Sequence, residues 1–213
     1  MDLANAVKNG FKNACQELLQ EGYRRAMQAV DPDMEEEDVT SELVEGMHRY
    51  NEGLFKKPIY IDWEAQEKSE YNFSQVNSAS EASRVDLILA HVGASTTSYL
   101  IEAKRLKASE RFLHREYWNN GVERFVTGVY AGERSIGSMA GYVLEGSVDT
   151  NQRYVADYGK KHKQRFNLDL PWTPQASPAE IDVYKTIHSR EGSPDIMLDH
   201  YLLGFIDAKP ESS

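Results

Sequence analysis

Asp86, Glu102 and Lys104 sit inside two apolar runs, VDLILAHV and YLIEAKRL, joined by a short polar segment. Charges there need an explanation, because burying an unpaired charge is costly enough to force pairing or neutralisation. Side chains two apart in a strand share a face, so Glu102 and Lys104 project together while Ile101 and Ala103 point the other way. If the preceding run pairs antiparallel, Asp86 approaches the same face from next door. Two carboxylates held that close repel, and a dication with hard oxygen ligands, Mg²⁺ or Mn²⁺, relieves the repulsion. A lysine beside them supplies positive charge suited to a phosphate or to a nearby water. Together these groups are equipped to hydrolyse a phosphodiester.

The elements that must position these residues are legible from periodicity. Residues 84–91 and 98–106 read as adjacent strands turning at Gly93 and Ala94. Upstream, PIYIDWE alternates, placing Ile59, Ile61 and Trp63 on one face of a half-buried strand, with Tyr71, Phe73 and Val76 as further strand positions. Residues 2–30 predict a long helix, which the acidic stretch DPDMEEED, read as a linker, interrupts. Thr40 is placed to cap a second helix, TSELVEGMHRYNEG, with Leu43, Met47, Tyr50 and Leu54 as its apolar stripe.

After the two central strands, Ser109 is placed to cap a helix that breaks at Asn119, Asn120 and Gly121, followed by a further helical piece around Phe125. SMAGYVLEG predicts a buried strand, Ser147 caps a helix reaching about Arg165, and LPWTPQASP reads as a loop. Residues 180–188 and the run IMLDHYLLGFI complete the strands. This order predicts an α/β fold, a mixed central β-sheet flanked by helices.

Asp86, Glu102 and Lys104 in this order of elements resemble the PD-(D/E)xK phosphodiesterases, the restriction-endonuclease-like superfamily. Its shared core is a helix, three antiparallel strands, a helix and a further strand, and its signature is an acid in the second strand and acid-x-Lys in the third. The resemblance spans residues 40–165 by order of elements and rests on three or four residues by identity; Val85 stands where the motif's name has proline. It implies a restriction-endonuclease-like core with an added N-terminal helix. Residues 1–39 would form a helical arm and acidic linker, and residues 40–213 the nuclease-like domain. Asp86, Glu102 and Lys104 become the catalytic set. Glu42 matches the helix-borne glutamate that many members add, so Glu42, Asp86, Glu102 and the Ala103 carbonyl become the ligands of Mg²⁺ or Mn²⁺. The implied activity is metal-dependent hydrolysis of DNA, as the nuclease subunit of a bacterial restriction or phage-defence system, working as a homo-oligomer or within a larger complex.

A second triplet tempers the motif. SPDIMLDHYLLGFIDAK carries Pro194, Asp195, Asp207 and Lys209, but only four residues follow Lys209, too few for the helix and strand that complete such a core. Element order therefore favours the first set.

Each candidate also has a plainer reading. Asp86, Glu102 and Lys104 could form a cross-strand ion pair on a wetted face, although the apolar residues on both sides argue for a covered sheet. Glu42 would complement a helix dipole without any metal. Lys107, Arg111 and Arg115 follow the motif at helical spacing, either as phosphate contacts or as a solvated face pairing with Glu110 and Glu116. His188, ending a strand, is placed either at the groove or in the core.

Bulk properties narrow the classes. A net charge of -10 argues against a protein that coats nucleic acid nonspecifically, yet KRLKASERFLHR and KKHKQR are locally basic. No run approaches the ~20 apolar residues of a membrane span, so a cytoplasmic location is expected. The single Cys15 can form no internal disulfide. Two alternatives to a nuclease stand: a catalytically inactive nuclease-like fold that serves as a protein-binding or scaffolding subunit, and a phosphodiesterase acting on small nucleotides.

Overall fold

The structure, a computed structural model, describes residues 3–53, 59–66, 84–91, 98–176 and 181–206. Leu54, Tyr71, Phe73, Val76, the turn at Gly93 and Ala94, and Asp207 and Lys209 of the second triplet lie outside the described residues. The chain forms α1 (Leu3–Ala26), α2 (Glu36–Gly53), β1 (Ile59–Gln66), β2 (Arg84–His91) and β3 (Ser98–Lys107). Then come α3 (Arg111–Glu116), a π-helical segment (Tyr117–Val122), α4 (Glu123–Val126), β4 (Ile136–Glu145), α5 (Val148–Lys161), β5 (Leu168–Gln175), β6 (Asp182–His188) and β7 (Ile196–Gly204).

The strands make one seven-stranded sheet in the order β1-β2-β3-β4-β7-β6-β5. β1, β2 and β3 pair antiparallel, β3-β4 and β4-β7 are parallel, and β7, β6 and β5 are antiparallel again. The sheet is therefore mixed and flanked by helices, an α/β architecture. The parallel step from β3 to β4 needs a crossover, which α3, the π-helical segment and α4 provide. Among the described residues, no helix is long and apolar enough to cross a membrane.

Two apolar cores cover the sheet. α1 and α2 bury Leu18, Leu19, Leu43 and Met47 against Ile61, Leu87, Ile101 and Tyr201. The other core joins Tyr117, Trp118, Phe125 and Phe166 to Leu106, Leu198 and Leu202. A strand covered on both faces is apolar nearly throughout, which is why β7 reads IMLDHYLLG. Its interrupting Asp199 is fully buried and anchors α1: Lys12 Nζ lies 2.6 Å from Oδ2, and the Tyr99 hydroxyl donates to the same oxygen at 2.6 Å. Gln16 adds a hydrogen bond to the Tyr201 hydroxyl at 3.1 Å.

α1 and α2 also meet through glycines. A Cβ on Gly46 would stand 2.6 Å from the Gly22 carbonyl oxygen, and one on Gly22 would stand 2.4 Å from Met47 Cγ. Only hydrogen fits at that contact, so the two backbones touch.

Several local expectations are corrected. α2 begins at Glu36, so Thr40 is no cap but an interior residue whose hydroxyl bonds the Glu36 carbonyl at 2.8 Å and the Tyr142 hydroxyl at 3.0 Å. The acidic run supplies the first turn instead: Glu36, Glu37 and Asp38 complement the helix dipole. Ser109 bonds Glu145 rather than capping α3. Asn119, Asn120 and Gly121 do not break the helix but widen it into the π-helical segment. Gly121 is needed there because a Cβ would come 2.3 Å from Met139 Cε. LPWTPQ is no loop but most of β5, an edge strand with irregular register, where proline costs no interior ladder bond. Ser147 does cap α5, its hydroxyl accepting from the Thr150 amide at 3.1 Å, but that helix ends at Lys161.

Candidate active site

The site arises where two strands part. The β2-β3 ladder runs from Ala90↔Ser98 to Leu87↔Ile101 and then stops, while β2 continues to pair with β1 as far as Arg84. In a strand, alternate residues turn their amide and carbonyl toward the same neighbour. Ala103 and Arg105 therefore face a gap that β2 no longer fills, and their backbone groups need other partners. Asp86 Oδ2 accepts from the Ala103 amide at 2.7 Å, and Glu36 Oε2 accepts from the Arg105 amide at 3.1 Å.

Lys104 closes the arrangement. Its ammonium donates to the Ala103 carbonyl at 2.6 Å and to Glu36 Oε1 at 2.8 Å. Glu102 Oε1 lies 3.1 Å away and Asp86 Oδ2 4.0 Å. Arg124, from α4, places Nη1 3.4 Å from the same Glu102 oxygen and also bonds the Tyr130 hydroxyl. Three carboxylates thus surround one ammonium, with a guanidinium behind. The second oxygen of Glu102, Oε2, is buried and has no hydrogen-bond partner among the described residues.

Burial dominates the acid-base behaviour. Glu102 is 1% exposed, and desolvation pushes its carboxyl up to about 7; Lys104 opposes that rise and Asp86 adds to it. Desolvation also raises Glu36, against the pull of the Lys104 charge. For Lys104 burial works in the opposite sense, but Glu102, Glu36 and Asp86 together hold its ammonium above the ordinary lysine range, so it stays charged.

The sequence-derived set is brought together in part. Asp86, Glu102, Lys104 and the Ala103 carbonyl converge, whereas Glu42 does not. On a helix of 3.6 residues per turn, Glu42 lies about 120° around α2 from Glu36, and Glu36 is the helix-borne acid that reaches Lys104. Because α2 starts four residues before Thr40, its first turn presents Glu36 to Lys104.

Lys107 ion-pairs with Asp33 and Glu110, each at 3.9 Å, and Arg111 stacks 3.0 Å over the Tyr154 ring. Arg115 is exposed. His188 is not at a groove at all. It is fully buried, and its Nδ1 donates to the Phe166 carbonyl at 2.7 Å. That bond assigns Nε2 as an acceptor for the Thr186 hydroxyl at 2.8 Å. Thr186 in turn accepts from His200 Nε2 at 2.7 Å, and the Tyr117 hydroxyl donates to His200 Nδ1 at 2.9 Å. A chain of buried neutral groups results, and desolvation lowers both imidazoles, His188 to about 4. Asp195, of the second triplet, is exposed beyond β6.

Glu36 and Arg124 were missed. Glu36 was findable, because acids crowding the first turn are a helix-start signal; Arg124 carried no such mark.

Among the described residues, no group of three or more His, Cys, Asp or Glu side chains stands in position to hold a metal ion. The Lys104 ammonium occupies the point on which the carboxylates converge. The donors still suit a hard cation: all are oxygens, and the orphaned Glu102 Oε2 is a buried acceptor needing positive charge.

No protein-family model, no curated protein and no solved structure matches the chain. The geometry alone carries the functional argument.

Proposed function

We propose that the chain is a metal-dependent nuclease that hydrolyses phosphodiester bonds of DNA at the gap between β2 and β3, on a PD-(D/E)xK-type core. One observation carries the reading: Asp86, Glu102 and Glu36 converge on Lys104 where the ladder opens, leaving Glu102 Oε2 buried without a partner among the described residues. The order α2, three antiparallel strands, a helical crossover and the parallel β4 is the order that the resemblance implies.

Asp86, Glu102, Glu36 and the Ala103 carbonyl would hold Mg²⁺ or Mn²⁺, which when bound polarises a phosphate and lowers the pKa of water. Lys104, charged throughout the neutral range, orients the incoming nucleophile and offsets the charge that builds on the phosphate oxygens. Arg124, 45% exposed at its side chain, offers a second cation from the opposite side. Glu102, with its carboxyl near 7, can hold or release a proton at working pH.

Plasmid nicking with Mg²⁺, Mn²⁺ and EDTA lanes tests the reading. Metal-dependent nicking that Glu102→Gln and Lys104→Ala each reduce at least a hundredfold supports it; nicking that survives both rejects it.

A second reading follows from the ion pairing itself, since Lys104 already neutralises Glu36 and Glu102. On that reading the fold is a scaffolding subunit with a self-satisfied relic of a site. Calorimetry separates the two: a scaffold binds no Mn²⁺ in a manner that Asp86→Asn abolishes.

A further inference from the structure

We propose that Trp63 is a stacking platform for an unpaired nucleobase, so that the substrate presents a single-stranded nucleotide next to the scissile phosphate. The inference rests on the phosphodiester-cleaving reading and names its substrate class.

Ile59, Ile61 and Trp63 lie on one face of β1, the face that packs toward α2. Ile59 and Ile61 are buried at 4% and 6%, but Trp63 is 40% exposed. The indole leaves the core just where it reaches the first turn of α2, and there it lines a small cleft with Glu36, Glu37, Thr40 and Asp86. Its companions in the chain behave otherwise: Trp118 is 1% exposed, and Trp172 packs 4.3 Å from the His200 ring.

Charge decides what such a surface can take. Glu36, Glu37 and Asp86 repel a phosphate on this side of the cleft, while Lys104 and Arg124 attract one farther in. A neutral indole beside the acids can accept a base, because stacking needs no charge and tolerates any base with a free π-face. A base within a duplex has its faces occupied by its neighbours, so an unpaired one is required. Among the described residues, β1 is also an edge strand of the sheet.

The test measures oligonucleotide binding by the full chain in EDTA, separately from cleavage. The probes are fluorescein-labelled 20-nucleotide single-stranded DNA, the same sequence as RNA, and the DNA duplex. Trp63→Ala should weaken single-strand binding roughly 5- to 100-fold and reduce the preference for single strand over duplex. Trp63→Phe should keep most of the affinity but remove the quenching of tryptophan emission that the single strand causes in the parent protein. Should Trp63→Ala leave single-strand affinity within about twofold, or should the parent protein bind no single strand, the platform is disproved. If Trp63→Ala instead changes the oligomeric state by light scattering with oligonucleotide affinity unaltered, the indole is a protein contact and the proposal falls. Binding that depends on Trp63 without any metal-dependent nicking would retain the platform and reject the nuclease; nicking indifferent to Trp63 would do the reverse.

Discussion

The Ala103 amide donates to Asp86 Oδ2 at 2.7 Å, across the point where β2 and β3 cease to pair. One carboxylate therefore does two jobs: it replaces a lost ladder partner and stands 4.0 Å from the Lys104 ammonium. The jobs can be separated by substitution.

Asp86→Asn keeps an oxygen acceptor for the Ala103 amide, whereas Asp86→Ala leaves it without one. Urea unfolding should place Asp86→Ala about 1–3 kcal/mol below Asp86→Asn. In the nicking assay both variants should lose activity at least a hundredfold. Equal stabilities would mean that water replaces the carboxylate at this amide.

Glu36 and Glu42 share a helix but only Glu36 faces Lys104. Glu36→Gln should weaken Mn²⁺ binding by calorimetry about tenfold or more, and Glu42→Gln should leave the isotherm and the nicking rate as they were. The reverse result would reinstate the helix position read from sequence.

Glu102 makes stability depend on pH with a definite sign. Its carboxyl lies near 7 in the fold against an ordinary 4.5, so the folded protein binds more protons between those values. Its contribution is complete below about pH 4.5 and is lost as pH rises through 7, on the order of 3 kcal/mol in total. The difference in unfolding free energy between the parent protein and Glu102→Gln should therefore shift against the parent between pH 5 and 8. A pH-independent difference would show that Glu102 is ionised throughout.

The buried imidazoles act in the opposite direction. His188, near 4 in the fold against 6.5 ordinarily, contributes stability that is present above pH 6.5 and lost as pH falls through 4, again on the order of 3 kcal/mol. His188→Asn, which retains a donor for the Phe166 carbonyl, should flatten the acid limb of the stability profile. The limb would stay as steep if other groups set it.

Thr186 joins His188 to His200, donating to one and accepting from the other. Thr186→Val strands both imidazole nitrogens and should cost about 2–4 kcal/mol in urea unfolding; Thr186→Ser should recover most of it. Failure of serine to rescue would assign the loss to packing.

Physical pattern explains what could be read in advance. Glu102 and Lys104 stood out because an apolar strand has no cheap place for charge, and the alternation of β3 fixed their common face. β7 declared itself by an apolar run broken only at Asp199 and His200. Glu36 sits in an acidic, proline-containing stretch that reads as a linker, although its crowded acids also mark the first turn of a helix. β5 was lost to Pro171 and Pro174, which forbid an interior strand but not an edge. His188 stayed open between groove and core because a lone histidine carries no mark of the Thr186 and Phe166 partners that hold it inside. Trp63 obeyed the alternation of β1 and still emerged into solvent, since periodicity reports a face and not how far the covering helix extends.

The hydrogen-only contact between Gly22 and Gly46 sets how closely α2 approaches α1, and α2 delivers Glu36. A methyl group at either glycine would lift that helix and withdraw the carboxylate from Lys104 while every charged residue remained in the chain. Damage at a joint remote from the cleft would then mimic damage to the chemistry itself.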